Sequence, residues 1–452
     1  MSFILSTKER FAALNRRPLF VLSTLFAINL IVFIATIPLP RVDGMIIGSD
    51  GIGYYMYSRS LIIDGDINFE NEYSRLKPEV NLETLKTPTG LTSNQYAVGP
   101  GLMWAPFFAI THSIILGLNH MGFKISNDGY GYPYQIAICV GSIFYGFWGI
   151  ALIYRTVNKF YPKIALFTCI LIWLATNVIY YMVAEPSMSH ACSLFATSIF
   201  IYVWLKTRNS FSLFWCLLIG LSGGFVALVR QVDGTLLILP ILDIIFNNQD
   251  IKDILKKVFC IALSFFAIFS IQMGVWFILN GNPFLSGYFL NSSYGFSWLH
   301  PHFFEVFFST EHGLFLWHPV LLLAVIGFLF FYKIDHKLTL LLVIGIISQG
   351  YLIGAWSSWT QADAFGGRMF IGSLPIFAIG LAAFGDWTER SRFLALYILV
   401  GGLLIIWNAL FFFQYRFGFI SMNGPYSLGE LFLGKASMLQ SLFRKVVDVL
   451  QR

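Results

Sequence analysis

Charge is what this sequence has little of. Only 12% of its 452 residues are Asp, Glu, Lys or Arg, against 57% hydrophobic and 18% aromatic, and the mean hydropathy is +0.71. A soluble domain cannot hide that much apolar surface from water, so the composition is that of an integral membrane protein. Cysteine is scarce as well. Cys139, Cys169, Cys192, Cys216 and Cys260 all fall in apolar runs, at spacings that match neither a zinc site nor a disulfide scaffold, and read as small buried hydrophobes. Low-complexity tracts and an internal repeat are missing, and the second absence weighs against a transporter built of inverted halves. The glycines of "GSDGIG" lack the full G-x-G-x-x-G and G-K-[ST] patterns and follow an apolar helix instead of a strand, which argues against nucleotide binding. The net charge of +6 is spread in short clusters, so no basic domain stands ready for nucleic acid.

What the chain has in abundance is long apolar runs. A helix needs about 20 such residues to span a bilayer, and a closed barrel would show period-2 alternation instead. The first run, Leu19–Ile37, follows Lys8, Arg10, Arg16 and Arg17 and is not followed by an A-x-A pattern. It reads as an uncleaved signal anchor with a cytoplasmic N-terminus. Further runs cover Ile136–Tyr154, Ile164–Met182, Ala191–Leu205, Phe211–Val229 and Thr235–Phe246. The last five are Val258–Leu279, Gly313–Tyr332, Leu338–Trp356, Met369–Phe384 and Phe393–Phe413.

Short basic connections decide the topology, because such loops stay cytoplasmic. They recur at Arg155/Lys159/Lys163, Lys206/Arg208, Lys252/Lys256/Lys257, Lys333/Lys337 and Arg390/Arg392. All share the side of the N-terminus only if a twelfth apolar stretch, Pro100–Leu118, does not cross and is a juxtamembrane or re-entrant helix. The expected layout is a single all-α domain over residues 1–452, with a first span at 19–37 and a long external loop at 39–134 that contains juxtamembrane helices. The other ten of eleven spans lie within 135–413, and an external tail covers 414–452.

The first loop concentrates carboxylates. Asp64, Asp66, Glu70 and Glu72 read as a solvated face, although the "DGD" around Asp66 also suits orienting an acceptor or a metal. Asp50 differs, lying between Gly48 and Gly51 close to the membrane boundary, where a partly desolvated carboxylate suits the work of a base. Tyr54, Tyr55 and Tyr57 follow at headgroup level. Arg230 in "VRQVDG" and Arg368 in "GGRMF" fall at external helix ends, where a cation needs a partner. Arg forks bind phosphate bidentately, while Asp233 and Asp363 offer these two arginines ordinary ion pairs. Glu185 and His190 in "AEPSMSH" lie on a short external turn and could support an acceptor or a divalent metal, with helix capping by Ser187 or Ser189 as the plainer reading. His300, His302, Glu311 and His312 form another external group, read as loop packing.

With an Asp soon after the first helix, then "QYAVGPGLMWAPFF" from Gln95, "SMSHA" from Ser187 and "WSSWTQADAFGGRMFIGSLP" from Trp356, the chain resembles bacterial membrane glycosyltransferases of the GT-C fold. These are relatives of the protein O-mannosyltransferase and aminoarabinose transferase families. The resemblance covers nearly the whole chain in layout. It implies transfer of a sugar from a polyprenyl-phosphate donor to a hydroxyl of a glycan, lipid or protein acceptor, at a site facing the periplasm or exterior of a bacterial inner membrane. Asp50 would be the catalytic base. Arg368, and Arg230 with it, would hold the donor phosphate, and Tyr54, Tyr55, Asp66, Glu185 and His190 would line the substrate site. Some members use a divalent metal and others do not. The chain departs from the aminoarabinose-transferase pattern of a lysine and prolines before the second helix, since Lys86 stands nine residues before Gln95. The competing class is a transporter or flippase of lipid-linked saccharides, which would keep its key charges inside spans; only Asp243 qualifies. An accessory subunit of envelope assembly is a third class.

Overall fold

The computed structural model describes residues 17–39, 45–208, 210–290 and 294–450. Lys8, Arg10 and Arg16, which enter the topology argument, lie outside them. Among the described residues the chain is helical and contains no strand. In the first half the helices are α1 (Pro18–Thr36), α2 (Asp50–Arg59), α3 (Glu70–Leu76), α4 (Val98–His120), α5 (Tyr132–Phe160), α6 (Ala165–Leu174) and α7 (Val178–Val183). They continue with α8 (His190–Thr207), α9 (Leu213–Val229), α10 (Ile238–Asn247), α11 (Ile251–Asn280), α12 (Glu305–Phe308) and α13 (Leu314–Trp317). The last are α14 (Val320–Phe331), α15 (His336–Ala355), α16 (Leu374–Arg390), α17 (Leu394–Arg416), α18 (Leu428–Phe432) and α19 (Gly434–Leu450). Seven are long and apolar enough to cross a membrane: α1, α4, α5, α11, α15, α16 with the 3-10 turn before it, and α17.

The termini follow local chemistry. Asp250 caps α11 through the Lys252 amide at 2.9 Å, and Gly281 ends it in the left-handed region at φ 74°. Asp335 caps α15 in the same way, accepting from the Leu338 amide at 2.9 Å. Several continuous apolar runs are nevertheless broken. Ile164–Met182 becomes α6 and α7, and Asn408 of α17 donates to the carbonyls of Leu174 and Thr176 at 2.9 and 2.8 Å across the break. An apolar setting makes such partners obligatory, because an unmet backbone group costs several kcal/mol there. Gly313–Tyr332 is divided at His318–Pro319, and Thr235–Phe246 begins in a 3-10 turn, Gln231–Leu237.

The helices gather into two units, one of Leu19–Thr156 and Tyr181–Gly295, the other of Val157–Tyr180 and the chain from Phe296 onward. In each unit a contact joins helix ends that carry basic residues. In the first, Arg208 forks onto Asp243 (Nε–Oδ2 3.1 Å, Nη2–Oδ1 3.2 Å), which also accepts from Trp204 Nε1 at 2.9 Å and Asn247 Nδ2 at 2.7 Å. This joins the end of α8, where Lys206 lies, to the end of α10. Asp243 is fully buried, so losing either partner would strand a charge, at a cost of about 3–5 kcal/mol. In the second unit Lys163 pairs with Glu389 at 3.3 Å, and Phe330 stacks on Trp387 with centroids 4.7 Å apart. The ends that carry Lys163, Lys333 and Arg390 therefore lie together.

α4 covers the stretch Pro100–Leu118 as one continuous helix of 23 residues with Pro106 inside it. Length and composition alone would let it cross. It packs antiparallel to α5: Met103 O accepts from Tyr145 OH at 3.0 Å, Trp104 Nε1 donates to Ser142 at 2.8 Å, and His112 Nδ1 meets Tyr134 OH at 2.8 Å. As α4 advances its partner on α5 moves back from Tyr145 to Tyr134, away from Arg155. The helix starts beside the end of α9, with the Val98 amide on Gln272 Oε1 at 2.9 Å and Gly99 against the Leu228 carbonyl. A re-entrant α4 requires that the chain after it stay external. With the native cysteines replaced, single cysteines at Ser126 and Ser210, both exposed, test this: an impermeant maleimide on intact cells should label position 126 and leave 210 untouched. Labelling of 210 instead would mean that α4 crosses and that the basic clusters lie outside.

Candidate functional site around Asp50

Asp50 is the first residue of α2, half-buried, at the end where the helix dipole favours a carboxylate. The residue before it, Ser49, has φ 52°, a left-handed backbone that a non-glycine residue adopts only under constraint. Tyr96 OH donates to Asp50 Oδ1 at 2.9 Å. Burial, with the Asp50 charge adding to it, holds the Tyr96 phenol well above its usual range, so it remains a donor.

Gly51 is what allows the next strand of the site to approach. A Cβ there would lie 2.5 Å from Ser187 Oγ, so only glycine lets the "SDG" segment touch the turn of "AEPSMSH". That turn closes from the Met188 amide to the Glu185 carbonyl at 3.2 Å, with Glu185 half-buried. Ser189 Oγ donates to Tyr54 OH at 3.2 Å, and Tyr54 packs on Tyr96 with centroids 5.0 Å apart. His190, the first residue of α8, is buried against Tyr181 at 4.2 Å and accepts from Arg230 Nη1 at 3.5 Å. Arg230, the C-cap of α9 and buried, lies 3.8 Å from Asp233 Oδ2. Asp233 is fully buried and accepts from Ser193 at 2.6 Å; burial raises its pKa and the Arg230 charge opposes that rise.

The structure thus connects Asp50, Tyr54, Glu185, His190 and Arg230, which are far apart in sequence, within the first unit. Tyr55 points elsewhere: it is fully buried and its hydroxyl donates to the Gly129 carbonyl. Asp66 lies beyond the other end of α2, where its Oδ1 accepts from Ser60 Oγ at 2.8 Å and the Asn68 amide at 3.0 Å. Tyr96 was not singled out from the sequence, although it immediately precedes the "AVGPG" that opens α4. Arg368 belongs to the second unit, at the start of a 3-10 turn, Arg368–Ser373, that leads into α16. Around it three non-glycine residues have positive φ: His312 (62°), Gln361 (68°) and Ala362 (48°). His312 is buried and donates from Nδ1 to the Thr360 carbonyl at 2.7 Å. Burial pushes its pKa down to about 4 against that bond, and the charge of Arg368 adds to the fall. His302 stands apart, stacked on Trp359 at 4.5 Å. Among the described residues no three His, Cys, Asp or Glu side chains are grouped to hold a metal ion. The chain matches no protein-family model, and a search of curated proteins gives no significant match.

The acidic stretch after Asp50 is not uniformly solvated. Arg59, the last residue of α2, bridges Glu72 at 2.8 Å and Asp64, donates from Nε to the Asp128 carbonyl at 3.1 Å and lies over the Tyr130 ring at 4.4 Å. Glu72 is fully buried, and burial lifts its pKa to about 7 despite the arginine. Since the ordinary value is 4.5, the folded chain keeps a proton that the unfolded chain gives up. The resulting stabilisation is complete below about 4.5 and is lost as pH rises through about 7, at most about 3 kcal/mol. The melting temperature of the purified protein should fall over that interval, and Glu72→Gln should remove this part of the slope. An identical slope in both proteins would mean that Glu72 titrates normally.

Proposed function

We propose that the chain is a membrane glycosyltransferase that moves a sugar from a polyprenyl-phosphate donor to an acceptor hydroxyl on the external face, with Asp50 as the base. The observation that carries this reading is the setting of Asp50: a half-buried carboxylate held by Tyr96, behind a strained Ser49, in the same unit as the buried Arg230–His190 pair. Strain of this kind persists only where surrounding structure enforces it and clusters at functional sites.

The chemistry asks for little more. The donor's leaving group is a phosphate that is already ionised, so no general acid is needed, unlike glycoside hydrolysis with its two carboxylates. The acceptor O–H gives its proton to Asp50 as its oxygen bonds to the anomeric carbon, and the bond from that carbon to the phosphate oxygen breaks. Polyprenyl phosphate departs with the electron pair. Cations hold the phosphate through the transition state. Arg230 is the phosphate ligand that the first unit supplies, its charge partly balanced by Asp233 at 3.8 Å. Arg368, in the second unit, is the alternative candidate for that role. Tyr54 and the Glu185–His190 turn border Asp50 and suit acceptor contacts, and Asp66 suits a more distant part of the acceptor. A divalent metal is an option that the resemblance leaves open. No step above is routed through one.

The transporter reading loses its best residue, because Asp243 is engaged by Arg208, Trp204 and Asn247, a structural arrangement. The eleven-span layout and an inner-membrane location with an external site are part of the proposal. The contacts that join basic helix ends within each unit, Arg208 with the end of α10 and Lys163 with Glu389, support them.

The test is transfer from synthetic polyprenyl-phosphate sugars by protein purified into nanodiscs, read as released polyprenyl phosphate. Asp50→Asn keeps the size and loses the base, so turnover should fall by roughly 10²–10⁴ with donor binding unchanged. Parental turnover in that variant would remove Asp50 from the role. For the phosphate ligands, Arg368→Lys keeps the charge but not the planar fork, and donor affinity should weaken by roughly 10- to 100-fold, as for a lost charge-assisted bond. Unchanged donor affinity in Arg368→Ala would leave Arg230 as the phosphate ligand.

A further inference from the structure

A cleft of about 700 Å³ opens at the other end of α2 from Asp50, wholly within the first unit. Its volume falls within the range of small-ligand sites, roughly 300–1,000 Å³. One wall is α3, whose Glu70, Asn71, Ser74 and Arg75 share a face because they are one and four positions apart, while Glu72, Tyr73 and Leu76 turn inward and are buried. The rest of the lining is Asp66 and Asn68 from the preceding loop, with Arg59 and Tyr130.

Three properties narrow the ligand. Every lining side chain can hydrogen-bond and none is aliphatic, which disfavours an acyl chain. Two arginines and two carboxylates line it, Arg59 is paired with Asp64 and Glu72 and Glu70 with Lys86, so the charges are largely balanced and select neither a phosphate nor a polycation. The lining is also preorganised. Arg59 is 6% exposed and fixed by Glu72, Asp64, the Asp128 carbonyl and the Tyr130 ring, and Asp66 is held by Ser60. Groups fixed in advance cost little to order when a ligand arrives. Asn68 adds an amide to the lining, its backbone N–H held by Asp66 Oδ1 at 3.0 Å.

We infer that this cleft binds a short neutral oligosaccharide. Vicinal hydroxyls, each a donor and an acceptor, are the chemistry that a neutral, wholly polar set of Asn, Asp, Glu, Arg and Ser side chains satisfies in pairs. The inference does not rest on the transfer reaction, since binding is read without donor or turnover.

The experiment uses the full chain in nanodiscs, because maltoside detergents carry a competing sugar. Saturation-transfer NMR is run with neutral trisaccharides of glucose, mannose, galactose, rhamnose and N-acetylglucosamine, and with trigalacturonate as the anionic probe. At least one neutral trisaccharide should bind with a Kd of about 1 mM or tighter. Ser74→Trp, placed at an exposed position on the cleft wall, should weaken it at least 10-fold at an unchanged melting temperature, and Asn68→Ala should weaken it without blocking the cleft. Glu79→Ala, exposed and outside the lining, should leave binding intact. The inference fails if no neutral trisaccharide binds, if only trigalacturonate does, or if binding survives Ser74→Trp undiminished.

Discussion

Gly99 sits so close to the end of α9 that a Cβ on it would lie 2.4 Å from the Leu228 carbonyl oxygen, and backbone on both sides leaves no side chain to yield. This contact, with the Val98 amide on Gln272, fixes where α4 begins. Tyr96 stands two residues earlier, so the same contact sets the phenol that holds Asp50. From Asp50, Gly51 carries the chain against Ser187, and the turn that contains Ser187 delivers His190 to Arg230. The side chains from Asp50 to Arg230 are therefore linked to backbone packing that starts at one glycine, and a larger residue there would disturb them together.

Charge is scarce in this protein, and the fully buried carboxylates Glu72, Asp233 and Asp243 each face an arginine. Arg208 answers Asp243, Arg230 answers Asp233, and Arg59 answers two carboxylates at once. The three arrangements differ in what they leave over. Asp243 receives four hydrogen bonds within 3.2 Å and is saturated. Arg230 meets its acid only at 3.8 Å, a looser pairing that leaves its fork less committed than that of Arg208. A cation held but not saturated is what a phosphate ligand requires, and a saturated pair is what a structural anchor requires.

The class of fold was legible in the composition and in the apolar runs, because hydropathy is a local property that a linear reading captures. The breaks within runs were not. Nothing between Ile164 and Met182 announces that Asn408, more than 200 residues later, will satisfy the carbonyls of Leu174 and Thr176. α4 was legible as apolar but ambiguous as a span, since its register against α5 is a tertiary fact. Asp50, Glu185, His190 and Arg230 could be proposed one at a time from residue type and position at helix ends, whereas their connection runs through small residues, Gly51 and Ser189, that carry no chemical signal. Glu72 was misleading for a related reason: a helix of seven residues with five polar positions reads as solvated until the arginine beneath it is seen.

That arginine also closes the far end of α2 from Asp50. The helix has ten residues and so is about 14 Å long, with Asp50 at its start and Arg59, in the cleft, at its end. It is pinned along its length, by Ser58 Oγ to the Gly101 carbonyl at 2.7 Å, by Tyr55 to the Gly129 carbonyl and by Tyr57 OH to the Tyr96 carbonyl at 3.1 Å. A rod anchored on both faces holds its ends at a fixed separation, which gives cleft and carboxylate a common ruler. Each sugar in a chain advances only part of that length. If the acceptor is a glycan, an oligosaccharide of a few units would be needed to occupy the cleft while presenting a hydroxyl to Asp50, so binding energy gained at the remote end could be realised as orientation at the reacting one.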